Sequence, residues 1–278
     1  ESVFSYFLSE LVTGNTPNPD ILCNKEIKFK EFYNYAMSNN YNFIATGHYA
    51  ITDNQSLYKG IDNSKDQSYF LHAIDKEVLQ KTIFPLGELK KENVRQIAKE
   101  NNLITSNKRD STGICFIGER PFPEFVASYL SGEEGNIINE NGDVIGIHQG
   151  LVFYTLGQRQ GLGIGGVKGS PDLPWYVAKK NLKTNELLCV QGNDHPLLFS
   201  KELSTKNLFK LEDSLPASFE GTAKVRYRQE DQRCEINVED NALNIKFHKP
   251  QRSVTPGQSV VIYNNDKCLG GGEICTIN

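Results

Sequence analysis

Thr16-Pro17-Asn18-Pro19-Asp20-Ile21-Leu22-Cys23-Asn24-Lys25-Glu26-Ile27-Lys28-Phe29 is the stretch on which the reading of this chain turns. Two prolines two residues apart fix φ twice and push Thr16 and Asn18 out of helical conformation. Asn18 and Asp20 suit a turn whose side chains bond their own backbone. After Cys23, an Asn-Lys-Glu run leads into an apolar-periodic segment, so the spacing predicts a helix that begins just beyond the cysteine. A thiol at a helix N-terminus is where negative charge is favoured, through the orphan N–H groups and the dipole. Asp20, three residues earlier, is placed to move protons, although a carboxylate also disfavours a neighbouring thiolate. The plain alternative for Cys23 is an inert small hydrophobe.

On the N-terminal side, Val3, Phe4, Phe7, Leu8 and Leu11 give an amphipathic helix over 3–12 that Gly14 ends. On the C-terminal side, Phe29, Phe32, Tyr33 and Ala36 repeat the helical spacing up to Asn39-Asn40. Tyr41 to Thr46 reads as a short buried strand running into Gly47-His48-Tyr49. Helix, strand and then glycine at the strand's carboxyl end is how open α/β sheets form ligand crevices; a tight turn is the plain reading of Gly47. Leu57 to Tyr69 reads as a polar loop around Lys65-Asp66-Gln67, a triplet that ordinarily belongs to solvated surface. Another amphipathic helix is predicted between Leu89 and Asn101. A polar loop from Ser106 to Thr112 then feeds Ile114-Cys115-Phe116-Ile117, where the pattern alone makes Cys115 a buried core thiol.

From about Phe122 the chain changes character. One helix, Pro123 to Leu130, is stopped by Gly132, and strands and turns follow. Asn141-Gly142 signals a two-residue hairpin between Ile137-Ile138 and Val144-Ile145. Gly161-x-Gly163-x-x-Gly166 formally satisfies a dinucleotide fingerprint, but no helical pattern follows it, and it reads as a close-packing loop. The final stretch resembles a β-barrel or Greek-key module, with strands at Thr222–Gln229, Cys234–Glu239, Leu243–Phe247 and Ser259–Tyr263 and a hairpin turn at Asn264-Asn265-Asp266. Within Thr222–Gln229, period two places Lys224, Arg226 and Arg228 on one sheet face, as solvated surface or as a phosphate-tracking ridge.

The chain has 278 residues, 38% hydrophobic and 23% charged, as in a soluble globular protein with sizeable cores. Its apolar runs are too short for a membrane-spanning helix or a secretory h-region. Six scattered cysteines without a C-x-x-C pair speak against a structural metal site and a secreted disulfide framework, and for a reducing, cytoplasmic setting. The net charge of −4 does not advertise a nucleic-acid partner, and residues 206–278 balance 10 basic against 10 acidic side chains. Any RNA contact must come from local patches.

Thr16 to Phe29 read together with Asp110-Ser111-Thr112-Gly113-Ile114-Cys115-Phe116-Ile117-Gly118 resembles the tRNA-specific 2-thiouridylases. Further matching blocks are Ala45 to Tyr49, Lys65 to Leu71, His148-Gln149-Gly150, Leu156 to Arg159, Gly161 to Gly166, Arg226 to Gln229, Thr255 to Gln258 and Cys268 to Gly272, in family order over the whole chain. One departure is large: the family opens with a Ser-Gly-Gly-x-Asp-Ser pyrophosphate loop that this sequence lacks, so it reads as a fragment without the first part of the catalytic domain and inactive alone.

The resemblance implies a multidomain α/β plus β protein. It comprises a truncated adenine-nucleotide α-hydrolase-like, Rossmann-like part over 1–123, a small β-rich central domain over 124–205 and a tRNA-contacting C-terminal β-barrel over 206–278. It implies 2-thiolation of the wobble uridine, with ATP (and Mg2+) activating the C2 oxygen, no tightly bound cofactor and no resident metal. In this reading Cys115 carries a persulfide delivered by a sulfur-carrier protein. Cys23 is the nucleophile that resolves it, leaving a Cys23–Cys115 disulfide, and Asp20 is a possible acid/base. Gly47 lies against the nucleotide, and Asn18, Pro19, Asp20, His48, Lys65, Asp66, Gln67, Arg226, Tyr227 and Gln258 contact tRNA. A dithiol redox protein and a non-catalytic RNA-binding module are the rival readings.

Overall fold

In the computed structural model, residues 2–108, 121–165 and 173–278 are described. The chain opens with α1 (Ser2–Val12), which buries Phe7 and Leu11. Gly14 closes it with φ +82, its N–H and that of Asn15 returning to the carbonyls of Leu11 and Glu10 at 3.0 Å each. Next comes α2 (Pro19–Leu22), which continues as a π-helical stretch over Cys23–Phe32 and then α3 (Tyr33–Ser38). The helix therefore starts at Pro19, ahead of Cys23 rather than just beyond it as the sequence pattern predicts. Asn18 is extended (φ −100, ψ 99), as the residue before a proline must be, and its Oδ1 accepts the Asp20 N–H at 3.1 Å. Pro19 occupies the first helical position, where a missing N–H costs nothing. The Asn-Pro-Asp turn is thus a helix cap.

Beyond Asn40 (φ 62), β1 (Ile44–Ala45) pairs in parallel with a later strand, β4 (Thr82–Ile83). Between them lie β2 (Ala50–Thr52), β3 (Leu57–Lys59), α4 (Ser68–Leu71) and α5 (Lys76–Gln80). The expectation of a polar loop from Leu57 to Tyr69 fails at both ends, since Leu57 and Tyr69 are fully buried in a strand and a helix. After β4 come α6 (Lys91–Glu100), none of whose side chains is fully buried, and α7 (Phe122–Ala127). The latter packs Phe125 and Val126 on Phe7 and Leu11 of α1.

The central unit is a four-stranded sheet of β5 (Gly135–Ile138), β6 (Val144–His148), β7 (Trp175–Asn181) and β8 (Glu186–Gln191), in the order β6-β5-β8-β7. The β5–β6 connection is a five-residue loop, 139–143, closed by Asn139 N–H to Asp143 O, with Gly142 alone at positive φ, so the two-residue hairpin is corrected. The glycine-rich run is turn and coil in its described part, through Gly165.

The last unit is a closed six-stranded barrel. It comprises β9 (Phe199–Lys210), β10 (Ser218–Lys224), β11 (Gln232–Glu239), β12 (Ala242–Arg252), β13 (Ser259–Asn264) and β14 (Lys267–Ile277), with β13 pairing β14 to close it. β9 carries the barrel across the expected boundary at 205/206. The β2–β3 hairpin adds to this sheet along β14, with Lys267 opposite Tyr58 and Cys268 opposite Leu57. One hydrophobic core accordingly joins Ile21, Phe29, Ile44, Leu57 and Leu71 to Val261, Tyr263 and Cys268 of the barrel.

Candidate functional site

The helix that carries Cys23 is held by the barrel. Thr16 donates its N–H to Pro256 O at 2.9 Å, and Gln258 Nε2 donates to Thr16 O at 2.6 Å. Gly257, at φ +89, makes this approach possible, because a Cβ there would stand 2.8 Å from the Thr16 nitrogen. Gln258, expected to face RNA, therefore has its amide engaged in setting the angle at which the chain enters the helix.

On the helix, Asp20 and Cys23 are three residues apart and share a face. The Cys23 amide already donates to the carbonyls of Asp20 and Pro19. The thiol is therefore not at an N-terminus with orphan N–H groups, and that part of the sequence argument is corrected. Burial raises the Asp20 carboxyl above the usual carboxylate range, against the opposing pull of Lys28. His48, buried between the rings of Phe29 and Phe84, has Nδ1 3.0 Å from Thr46 Oγ1. Its pKa is lowered to about 4 by burial and, secondarily, by the same Lys28 ammonium. Lys28 thus acts electrostatically on Asp20 and His48 at once. Sequence reasoning passed over it, although the spacing Asp20-Asn24-Lys28 places it two turns along from Asp20. Gly47 follows β1 beside His48, and a Cβ there would meet only Leu86, at 3.8 Å.

The Lys65-Asp66-Gln67 triplet sits close by. Asp66 is buried and accepts hydrogen bonds from Gly60 N at 3.1 Å and from Ser68 N and Oγ at 3.0 Å. Gln67 exchanges two bonds with the Tyr49 backbone, 3.0 Å to its Oε1 and 2.8 Å from its N–H. Both side chains are built into the loop that supports the Gly47-His48-Tyr49 turn. Tyr227 reaches the same loop, its OH 3.5 Å from Lys65 O and its ring 4.5 Å from that of Phe70.

The basic ladder does not form. β10 ends at Lys224, Arg228 is at positive φ (63), and residues 225–228 are a turn. Lys224 turns inward to Asp66 (3.7 Å) and Asp231 (3.5 Å), Arg226 reaches the Arg252 and Ser253 carbonyls, and Arg228 lies over the Tyr227 ring. A buried carboxylate at the barrel's mouth attracts the first cation, and the turn sends the others apart. This strand end also frees Tyr227 from the opposite sheet face, which lets it join the Lys65 loop.

The structure thus ties Gln258 to Thr16 at the helix entry, packs His48 on Phe29 of the helix, joins Tyr227 to the Lys65 loop, and sets Arg226 on the Arg252 and Ser253 carbonyls. Cys115 lies outside the described residues. Among the other cysteines, burial pushes the thiols of Cys189, Cys234 and Cys268 up to about 12, and Cys275 is exposed. A cavity of about 460 Å³ borders the helix at Ile21, Leu22 and Lys25, with Asn18, His72 and Glu273 also in its lining. Among the described residues no cluster of three or more His, Cys, Asp or Glu side chains suits a metal ion, and no helix is long and apolar enough to cross a membrane.

Comparison with known proteins assigns each unit. Residues 1–119 match the family described as a tRNA methyl transferase HUP domain, 123–191 a tRNA methyl transferase PRC-barrel domain, and 200–274 an aminomethyltransferase beta-barrel domain. Proteins named tRNA-specific 2-thiouridylase from Francisella philomiragia subsp. philomiragia and Francisella tularensis subsp. holarctica are each 56% identical over 281 residues, covering 99% of this chain and 78% of theirs. The protein of that name from Francisella tularensis subsp. novicida is 55% identical over the same span.

Proposed function

The chain belongs to the tRNA-specific 2-thiouridylase family, and from that premise we propose that it replaces the C2 oxygen of a wobble uridine in tRNA by sulfur. The observation that carries this reading is the Asn18-capped helix, with Asp20 and Cys23 on one face, held at its entry by Gln258 of the barrel. The family descriptions speak of methyl transfer. The identity to thiouridylases over nearly all of this chain and the paired cysteine motifs favour sulfur over methyl.

ATP, when bound, supplies the group that turns the C2 oxygen into a leaving group. Gly47, open on its Cβ side at the carboxyl end of a parallel strand, suits a nucleotide lying close. Asn18, Pro19 and Asp20 hold the extruded base at the capped turn. The terminal sulfur of a Cys115 persulfide forms a bond to C2 as the activated oxygen departs. The Cys23 thiolate then attacks the Cys115 sulfur, breaking the S–S bond to the product. Thiouridine leaves, and a Cys23–Cys115 disulfide remains, which an external dithiol reduces. The persulfide comes from a sulfur-carrier protein. The Asp20 carboxylate, made more basic by burial, takes the Cys23 proton. His48, neutral at physiological pH, keeps the pocket free of a second positive charge beside Lys28.

Mass analysis of nucleosides from tRNA incubated with the full-length protein, ATP and a persulfide donor tests the proposal. 2-Thiouridine at the wobble position, lost in Cys23→Ser, is expected. A methylated nucleoside, tRNA bound without change, or disulfide exchange without RNA product would each overturn it in favour of a rival.

A further inference from the structure

Arg226 and Arg252 meet at the seam between the barrel and the central sheet. Arg226 Nη2 donates to the carbonyl oxygens of Arg252 and, at 3.3 Å, of Ser253. Arg252 Nε donates to Asn193 O at 3.0 Å, and its guanidinium carbon lies 4.9 Å from the centre of the Tyr176 ring. Burial, with the Arg252 charge second, holds Arg226 below the usual arginine range. Other cations at the unit boundaries are neutralised: Lys59 faces Asp231, Lys206 faces Glu273 and Lys224 faces Asp66. The arginine pair is not. Its polar partners among the described residues are backbone carbonyls, and neither guanidinium has a carboxylate. Arg252 Nη2 and the neighbouring Ser253 Oγ are buried without any hydrogen-bond partner.

The Arg226 guanidinium lies on the Arg252 main chain, and neither side chain has a counter-charge, so an anion that reaches both supplies one. Arginine forks suit the paired oxygens of a phosphate. We propose that Arg226 and Arg252 together clamp one phosphodiester of the tRNA backbone, Arg252 being the half of the clamp that the family motif does not contain.

This rests on the tRNA reading above and goes beyond it, because it also fixes where the RNA sits. The Ser253 carbonyl that receives Arg226 begins the loop that ends on Thr16, through Pro256 O and the Gln258 amide. The same loop touches the central unit, where a Cβ on Gly157 would stand 2.2 Å from Ser253 Oγ. A phosphate held at the clamp is therefore one short, hydrogen-bonded loop from the turn that caps the Cys23 helix. The clamp sets the register of the RNA on that turn.

The test is tRNA affinity against salt for the wild type, Arg226→Gln, Arg252→Gln, Arg252→Lys and the double Gln variant, with unfolding midpoints and ATP affinity measured alongside. Each Gln substitution should weaken tRNA binding by about tenfold and flatten the log–log salt slope by about 0.7–0.9. Because one phosphate is shared, the double variant should lose less than the product of the singles and flatten the slope no further. Arg252→Lys keeps the charge and should keep the slope while losing affinity, at an unchanged unfolding midpoint; it carries the test if Arg252→Gln does not fold. Wild-type affinity and slope in Arg252→Gln overturn the clamp alone, as do strictly additive losses, which would mean two phosphates. A loss of ATP affinity with tRNA affinity retained would move the site to the nucleotide and overturn it too. Failure of the wild type to bind tRNA would overturn both this and the proposed function.

Discussion

Gly257→Ala isolates how firmly the barrel sets the Cys23 helix. At φ +89 an alanine pays the left-handed penalty of about 1–2 kcal/mol wherever it sits. Here its Cβ would also stand 2.8 Å from the Thr16 nitrogen and 3.0 Å from Asn15 Cβ. Thr16 must then retreat, stretching the 2.9 Å bond to Pro256 O and the 2.6 Å bond from Gln258. Weakening two such bonds costs a further ~1–3 kcal/mol. Gly142→Ala is the matched control: its φ is +85, and nothing lies within 4 Å of its Cβ. Denaturant unfolding should show the larger loss for Gly257→Ala, by that ~1–3 kcal/mol difference. The alkylation rate of Cys23, read by peptide mass after pulse labelling, should change in Gly257→Ala and stay at the wild-type value in Gly142→Ala. Equal stability losses with equal labelling rates would refute the claim that this loop positions the helix.

Stability should also fall in acid through buried histidines. His48 and His72 have folded pKa values lowered to about 4, below the ordinary 6.5. The unfolded chain binds the extra protons first, so their contribution is whole above about 6.5 and is lost as pH falls towards 4; urea midpoints from pH 7 to 4 should drop, and drop less in His72→Gln. Cys189→Ser, Cys234→Ser and Cys268→Ser place a hydroxyl in a buried thiol site and should lower stability by ~1–3 kcal/mol while leaving 2-thiouridine yield per folded molecule unchanged; a lost yield would bring a third thiol into the chemistry. Mild oxidation of the full-length protein followed by peptide mapping should find Cys23 linked to Cys115, and linkage only of other pairs would sink the sulfur relay. Lys224→Ala breaks the pairing with buried Asp66 and should cost ~3–5 kcal/mol of stability without flattening the salt slope of tRNA binding, the reverse of Arg252→Gln.

The elements legible in the sequence were those with a local cause. The 3–12 helix and its Gly14 stop, the Asn39-Asn40 stop, and most barrel strands follow from spacing and turn residues within a dozen positions. The helix start at Pro19 has a local cause as well: proline at the first helical position with asparagine before it is a cap, although a pair of prolines equally suits a turn. The β2–β3 hairpin was not legible. Leu57-Tyr58-Lys59 is three residues long, and only its pairing with a strand some two hundred residues away makes Leu57 a core residue. The fate of the Lys224-Arg226-Arg228 series had the same kind of cause, since period two extends only as far as the strand, and Asp66 and a turn ended it at Lys224. At the site, the residue types and blocks were legible through the family resemblance. The internal duties of Asp66, Gln67 and Gln258, the influence of Lys28 and the partnering of Arg226 with Arg252 depend on contacts across units.

The insertion of β3 beside β14 bears on how the protein is made. Leu57 leaves the ribosome long before Cys268, its partner in the sheet, and at about 5–20 residues per second the 211 intervening positions (268 − 57) take roughly 10–40 s to synthesise. For that interval the β2–β3 hairpin has no sheet to join, and Ile21, Phe29 and Leu71 have no Val261 or Tyr263 to pack against. The part that carries the Cys23 helix thus stays unfinished while the rest of the chain is translated and closes only when the final barrel strand arrives, so a nascent chain stalled before β14 leaves that helix without its barrel support.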